Sequence, residues 1–161
     1  MRRAATVLLA LAAACSPEEP ARVAVRKPAR PPEEPARTIR VTYDHMQSAS
    51  EGVHEEVRSS LTKEEAGALA RSLHQRVKDG IVAWDRAKAE FSDDRMETGQ
   101  PRGPYTMVNV GVPHAAGEIA RLSAARAVGD MVFFLKVGEI GLVEYDPRSS
   151  PWGWHIIKRL R

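Results

Sequence analysis

A segment rich in proline and glutamate near the N-terminus limits how much of this chain can fold. Six of the eleven prolines lie between residues 16 and 37, and Pro-Glu-Glu-Pro-Ala-Arg occurs twice there. The segment has too few large apolar side chains for a core, and its prolines favour an extended backbone. We predict that residues 15–37 are a flexible linker and that one domain occupies residues 38–161. A PxxP-type ligand is the alternative role for the linker.

The residues before this linker have the layout of a secretory signal. Residues 1–3 carry two positive charges, and residues 4–14 are an uncharged stretch too short to span a bilayer as a helix. Small residues then precede Cys15, the only cysteine of the chain. This arrangement resembles the lipobox of bacterial lipoproteins, which implies a signal peptide at 1–14 and a lipid on Cys15. An ordinary signal peptide that leaves a free thiol is the alternative.

The basic charge of the chain does not predict a nucleic-acid partner. The sequence pI is about 9.2, but the excess lies outside the predicted domain. Residues 1–37 hold seven of the 24 Lys and Arg residues and four of the 21 Asp and Glu residues, so residues 38–161 hold 17 of each. A formally neutral domain lacks the basic surface by which proteins bind nucleic acid, and we exclude that class.

The clearest element is a helix that begins after Thr62. Thr62 is a suitable N-cap, and Glu65 completes a capping box. Gly80 suits the position just beyond the C-terminal end. One apolar stripe follows helical spacing and is formed by Ala66, Leu69, Leu73 and Val77.

The remaining elements predict a mixed fold. Ile39, Val41, Tyr43 and His45 alternate along a first strand at 38–46. Further helices are predicted at 81–91, 115–128 and 130–136, and further strands at 105–110, 140–145 and 152–157. This order indicates an α+β domain, with a small antiparallel or mixed sheet of about four strands and helices packed around it.

Four short segments resemble one family when taken in order. They are Thr-Lys-Glu-Glu-Ala at 62–66, Phe-Ser-Asp-Asp at 91–94, Leu-Lys-Val-Gly-Glu-Ile at 135–140 and Gly-Trp-His-Ile-Ile-Lys-Arg at 153–159. Together they resemble the parvulin-type peptidyl-prolyl cis–trans isomerases. The resemblance covers residues 38–161 in outline and is strongest at 62–94 and 135–160. It implies a parvulin-like fold.

The resemblance also implies a set of site residues. His45 and His155 match two histidines that lie side by side on the central strands of the family, and Asp94 matches its Asp or Cys position. These three are the predicted catalytic residues. The reaction breaks no bond, so the resemblance implies neither a cofactor nor a metal.

The apolar wall of the proline pocket is harder to place. Counting back from Phe133 gives Ala124 and Val128, whereas a shifted alignment gives Met131 and Phe134. Our prediction for the substrate-binding residues is Met131 and Phe134.

Two functions follow as expectations. The first is a prolyl isomerase that assists the folding of exported proteins, takes unfolded or extended polypeptides containing Xaa-Pro, and is anchored through Cys15 in the cell envelope. The anchored protein would face the periplasm, with the outer membrane as the expected location. The second is a catalytically eroded peptide-binding or chaperone module. Its support is the polar Gln47, and the lack of the family's Gly-rich segment at 99–105.

Overall fold

A computed structural model describes residues 39–51 and 60–161 of the chain. The predicted signal peptide at 1–14, the predicted lipidation of Cys15 and the predicted linker at 15–37 lie outside the described residues and stay predictions. Within the described ranges, no helix is both long enough and apolar enough to cross a membrane.

The described residues form three α-helices and a five-stranded sheet. In chain order the elements are β1 (Arg40–Ser48), α1 (Lys63–Lys78), α2 (Trp84–Phe91), β2 (Tyr105–Val108), β3 (Glu118–Ala120), a 3-10 turn (Arg121–Ser123), α3 (Arg126–Phe134), β4 (Ile140–Val143) and β5 (Trp154–Arg159). The strand order is β3-β2-β1-β5-β4. Only the β2–β3 pair is parallel. The predicted α+β class is confirmed, with one strand more than expected.

The ends of α1 agree with the sequence prediction. Thr62 accepts a hydrogen bond from the Glu65 backbone, and the Glu65 carboxylate accepts one from the Thr62 backbone. Gly80 has a positive φ of 72°, which a glycine adopts without strain. Leu73 and Val77 are buried. Local rules therefore set both the limits and the buried stripe of this helix.

Helices cover both faces of the sheet. Helices α1 and α2 pack on one face, which we call the α1/α2 face, where Met46 and Ile156 are buried. Helix α3 packs on the other, the α3 face, where Val41, Tyr43 and Ile157 are buried. Alternate residues of the two central strands are therefore buried on opposite faces. The polar pattern of β1 hides this arrangement, because Asp44 and Ser48 are also buried.

The predicted helix at 115–128 is wrong. Gly117 turns the chain with a φ of 83°, and residues 118–120 then pair with β2 as a short parallel strand. Leu122, in the middle of the segment, is 79% exposed. The segment holds a 3-10 turn at Arg121–Ser123, and its last residues begin α3 at Arg126. Helix α3 also includes most of the short helix predicted at 130–136. Tertiary pairing with β2 overrides the apolar spacing.

Candidate functional site

Two histidines meet on the α3 face at the centre of the sheet. Tyr43, His45 and Gln47 project to this face from β1, and His155 does so from β5, where it lies opposite Gln47. The ring centroids of His45 and His155 are 5.5 Å apart, with the planes at 62°. His155 is buried. The sheet register therefore brings together two residues that are 110 positions apart.

A layer of aromatic rings surrounds His45. The Tyr105 ring, at the start of β2, stacks on His45 with centroids 5.3 Å apart. Tyr43 stacks on both, at 6.2 Å from His45 and 5.7 Å from Tyr105. These contacts fix the imidazole plane of His45 within a largely apolar environment.

Asp94 closes one side of this cluster. Its Oδ2 atom lies 3.2 Å from His45 Nε2 and accepts a 2.7 Å hydrogen bond from the Tyr105 hydroxyl. Its Oδ1 atom lies 3.9 Å from Arg102 Nε. Since a carboxylate only accepts hydrogen bonds, His45 carries its proton on Nε2 and leaves Nδ1 free to accept.

The neighbouring residues hold Asp94 in place. Asp93 Oδ2 accepts from the Ala49 backbone N–H at 2.8 Å, and the Asp93 N–H donates to the Gln47 carbonyl at 2.8 Å. The Ser92 hydroxyl accepts from the Gln47 N–H at 3.2 Å. These bonds extend the ladder of β1 along the loop. Asp93 thus supplies the anchor, and Asp94 is the carboxylate that reaches the histidine.

Burial keeps both imidazoles neutral. It lowers the pKa of His155 to about 3, and the nearby His45 adds to the effect. Burial also lowers the pKa of His45, although the Asp94 carboxylate opposes this shift. Among the described residues, His45 Nδ1 and both ring nitrogens of His155 have no hydrogen-bond partner. Buried polar atoms without partners are uncommon and call for an explanation.

The tyrosines of the site stay protonated at neutral pH. Burial raises the pKa of Tyr105, and its hydrogen bond to Asp94 raises it further. Burial also raises the pKa of Tyr43. Both hydroxyls therefore stay O–H groups, and that of Tyr105 donates to Asp94. No three His, Cys, Asp or Glu side chains within the described ranges are grouped to hold a metal ion.

The structure brings the three predicted catalytic residues together, and Met131 packs against the core cluster on the same face of the sheet. His45, Asp94 and His155 share the cluster described above. Met131 lies against Gly141 of β4, where a Cβ atom would come within 2.7 Å of its sulfur. Phe134, at the end of α3, is 53% exposed. The substrate-binding role of these two stays a prediction.

Sequence reasoning missed Tyr105 as a member of the site. The residue was placed at the start of a strand, but no local signal shows that this strand pairs with β1 so that Tyr105 lies opposite Tyr43. Tyr43 was recognised only as part of an alternating apolar face. The pairing register is a long-range property, and it alone reveals the aromatic layer.

Solved structures share this architecture at low sequence identity. The solution structure of TbPIN1 has a TM-score of 0.51 and 22% identity, and the match covers 77% of this chain and 99% of that one. Peptidyl-prolyl isomerase ESS1 from Candida albicans has a TM-score of 0.52 and 16% identity, and the match covers 78% of this chain but 64% of that one. No family model and no curated protein matches the sequence. The described residues therefore have the parvulin-type fold that the four sequence segments predict.

Proposed function

We propose that residues 38–161 form a peptidyl-prolyl cis–trans isomerase. The observation that carries the proposal is the grouping of His45, His155, Asp94 and Tyr105 on one face of the sheet. ESS1, which shares the fold, is a peptidyl-prolyl isomerase. Such a reaction fits a site that offers hydrogen-bonding groups in an apolar environment.

The chemistry of the reaction explains why neutral groups suit it. Rotation about an Xaa-Pro bond crosses a barrier of ~20 kcal/mol, because the amide loses its resonance as it twists. The site must bind the twisted amide better than the planar one. The planar amide has the larger charge separation, so an apolar site without ionised imidazoles favours the twisted form. His45 and His155 meet this need because burial lowers the pKa of both.

Asp94 acts on the substrate either through His45 and Tyr105, which it contacts, or by contacting the substrate directly. It holds the proton of His45 on Nε2, so that His45 Nδ1 is an acceptor. This atom and both ring nitrogens of His155 are buried without a hydrogen-bond partner among the described residues. No nucleophile is required, since the reaction forms no covalent intermediate.

Exchange NMR on a short Xaa-Pro peptide tests this proposal. The wild-type protein should accelerate cis–trans exchange, and His155→Leu and Asp94→Asn should each lower kcat/KM by about tenfold or more. His114→Leu is the matched control, because it makes the same substitution at an exposed histidine. No acceleration at high protein concentration, or wild-type rates in both site variants, would sink the proposal.

A peptide-binding module without turnover is the second candidate. A cleft of about 520 Å³ lies between the end of β2 and the start of α3, and its lining includes Val110, Leu122 and Ala124. Val110 and Leu122 are exposed apolar side chains, which favours contact with an extended polypeptide. Peptide-induced shifts of their NMR signals without accelerated exchange would support this candidate over the first.

We further propose that the protein assists the folding of exported proteins from a lipid anchor on Cys15 in the cell envelope, facing the periplasm, with the outer membrane as the expected location. The support is the sequence of residues 1–15 alone. Wild-type protein should incorporate a labelled fatty acid and fractionate with membranes, whereas Cys15→Ala should do neither. A Cys15→Ala variant that stays in the membrane fraction would contradict the anchor and leave the isomerase proposal untouched.

A further inference from the structure

We propose that a buried ion pair between Asp44 and Lys88 positions the backbone of His45 from the opposite side of the sheet. The two opposite charges also balance each other near the His45 imidazole. The pair lies on the α1/α2 face, on the other side of the sheet from the histidines. The proposal rests on the proposed function, because it takes His45 to be part of the isomerisation site. It assigns Asp44 and Lys88 as positioning residues that do not touch the substrate.

Three donors fix the Asp44 carboxylate. Its Oδ1 atom accepts a 3.0 Å hydrogen bond from the His45 backbone N–H and pairs with the Lys88 ammonium group. Its Oδ2 atom accepts a 2.9 Å hydrogen bond from the Trp84 indole. Both charged side chains are only 10% exposed. The carboxylate therefore joins the backbone at His45 to helix α2.

The loop between Asp94 and Tyr105 also packs on this pair. Gly103 has a φ of 97°, and a Cβ atom there would lie 2.7 Å from Asp44 Oδ1 and 3.2 Å from Lys88 Nζ. The loop therefore passes against the ion pair with no room for a side chain. One buried pair thus contacts β1, which carries His45, and the loop that links Asp94 to Tyr105.

The two charges act on His45 in opposite directions. Behind the ring, the Asp44 carboxylate raises the pKa of His45 and the Lys88 ammonium lowers it. On its own face, His45 meets Asp94, His155, Tyr43 and Tyr105. Together the paired charges leave burial and Asp94 as the main influences on the imidazole.

The test must change the charges of Asp44 and Lys88, because two side chains that only fill space in the core do not need to be charged. An ion pair is costly to desolvate, and well-packed apolar residues of similar volume often stabilise a protein equally well. Removing one partner leaves an uncompensated charge, which acts on nearby titratable groups over several ångströms. Single and double variants therefore separate charge balance from packing.

NMR titration of labelled histidine in the full-length protein makes this separation. Lys88→Met should move the His45 titration upward by about one pH unit, since the Asp44 carboxylate then acts on His45 without the opposing ammonium group. Asp44→Asn should move it downward, and the double variant should titrate near the wild type. Arg86→Met is the matched control, because it removes an exposed charge from the same helix.

The outcome decides between charge balance and packing. Opposite shifts in the two single variants, with little change in Arg86→Met, support the proposal; no shift, or shifts of the same sign, overturn it. If one single variant fails to fold by urea denaturation, the other is compared with the double variant in the same way. The titration needs no turnover, so an inactive wild type with opposite shifts would contradict the isomerase and still support the charge balance at His45.

Discussion

The two faces of the sheet treat their buried polar groups differently. On the α1/α2 face, Asp44 has three donors and the Ser48 hydroxyl donates to the Ala66 carbonyl. On the α3 face, His155 is equally buried, yet neither of its ring nitrogens has a partner among the described residues. The buried Asp44 and Ser48 therefore have partners, whereas the equally buried His155 has none among the described residues.

This difference separates structural from functional burial. An unpaired buried polar group costs about 1–3 kcal/mol, and His155 carries such a cost at the centre of the α3 face. A buried polar group that carries this cost calls for an explanation, and the role in isomerisation proposed above supplies one. The α1/α2 face is therefore expected to carry stability, and the centre of the α3 face to carry function.

The largest expected effect is on the α1/α2 face. Ile156→Ala should lower the free energy of unfolding by about 3–4 kcal/mol, because Ile156 is buried among the side chains of both helices. Urea denaturation measures the change. Ile81→Ala makes the same substitution at a residue that is 68% exposed and should cost less than about 0.5 kcal/mol. A loss below about 1 kcal/mol in Ile156→Ala would break the comparison.

His155, the residue next to Ile156 on the opposite face of β5, should affect how the free energy of unfolding depends on pH. The pKa of His155 is about 3 in the folded protein and about 6.5 when unfolded, so only the unfolded state takes up this proton as the pH falls below 6.5. Stability from this group is complete above pH 6.5 and falls by about 2 kcal/mol between pH 7 and pH 5.

His155→Leu should remove that part of the pH dependence. Urea denaturation at several pH values should show a flatter profile in His155→Leu. Its stability at pH 7 should be no lower than that of the wild type, because no hydrogen bond is lost and an unpaired buried group is removed. His114→Leu should keep the wild-type slope. Equal slopes in all three proteins would show that His155 is not buried as a neutral residue.

A smaller effect is expected from removing the hydrogen bond between Tyr105 and Asp94. Tyr105→Phe keeps the stacked ring but removes the hydroxyl that donates to Asp94. We expect kcat/KM to fall about tenfold, or about 1.4 kcal/mol, because Asp94 is held less firmly against His45. Tyr145→Phe is the control, since that ring packs on Trp154 near α1. Unchanged kcat/KM in Tyr105→Phe would remove this tyrosine from the site.

The sequence predicted those parts of the fold that local rules determine. The capping box at Thr62, the turn at Gly80 and the strand that carries His155 all follow from short-range chemistry. The segment at 115–128 was wrong because its strand forms only by pairing with β2. The pairing with β2 outweighs the helical spacing of the apolar residues, and a single sequence does not reveal that pairing.

The candidate site was predictable only in part, for the same reason. His45, Asp94 and His155 came from a resemblance between short segments, and the structure brings them together. Tyr105 and the Asp44–Lys88 pair depend on register and on helix packing across the sheet. A lysine within α2 looks like a solvated residue in the sequence, yet Lys88 is buried because Asp44 faces it.

The smallest expected effect is on exposed ion pairs, which should contribute equally little to the free energy of unfolding on both sides of the sheet. Arg102 Nε is 3.9 Å from Asp94, and the Arg102 side chain is 54% exposed; Arg71 is equally exposed and pairs with Glu144 at 3.0 Å beside α1. Exposed ion pairs contribute about 0–1 kcal/mol, because water and salt screen them. Arg102→Gln and Arg71→Gln should therefore each change the free energy of unfolding by less than about 0.5 kcal/mol. If Arg102→Gln alone lowered the free energy of unfolding by more than about 1 kcal/mol, the two sides of the sheet would also differ in their exposed ion pairs. Arg102 would then be one of the residues that hold Asp94 in place.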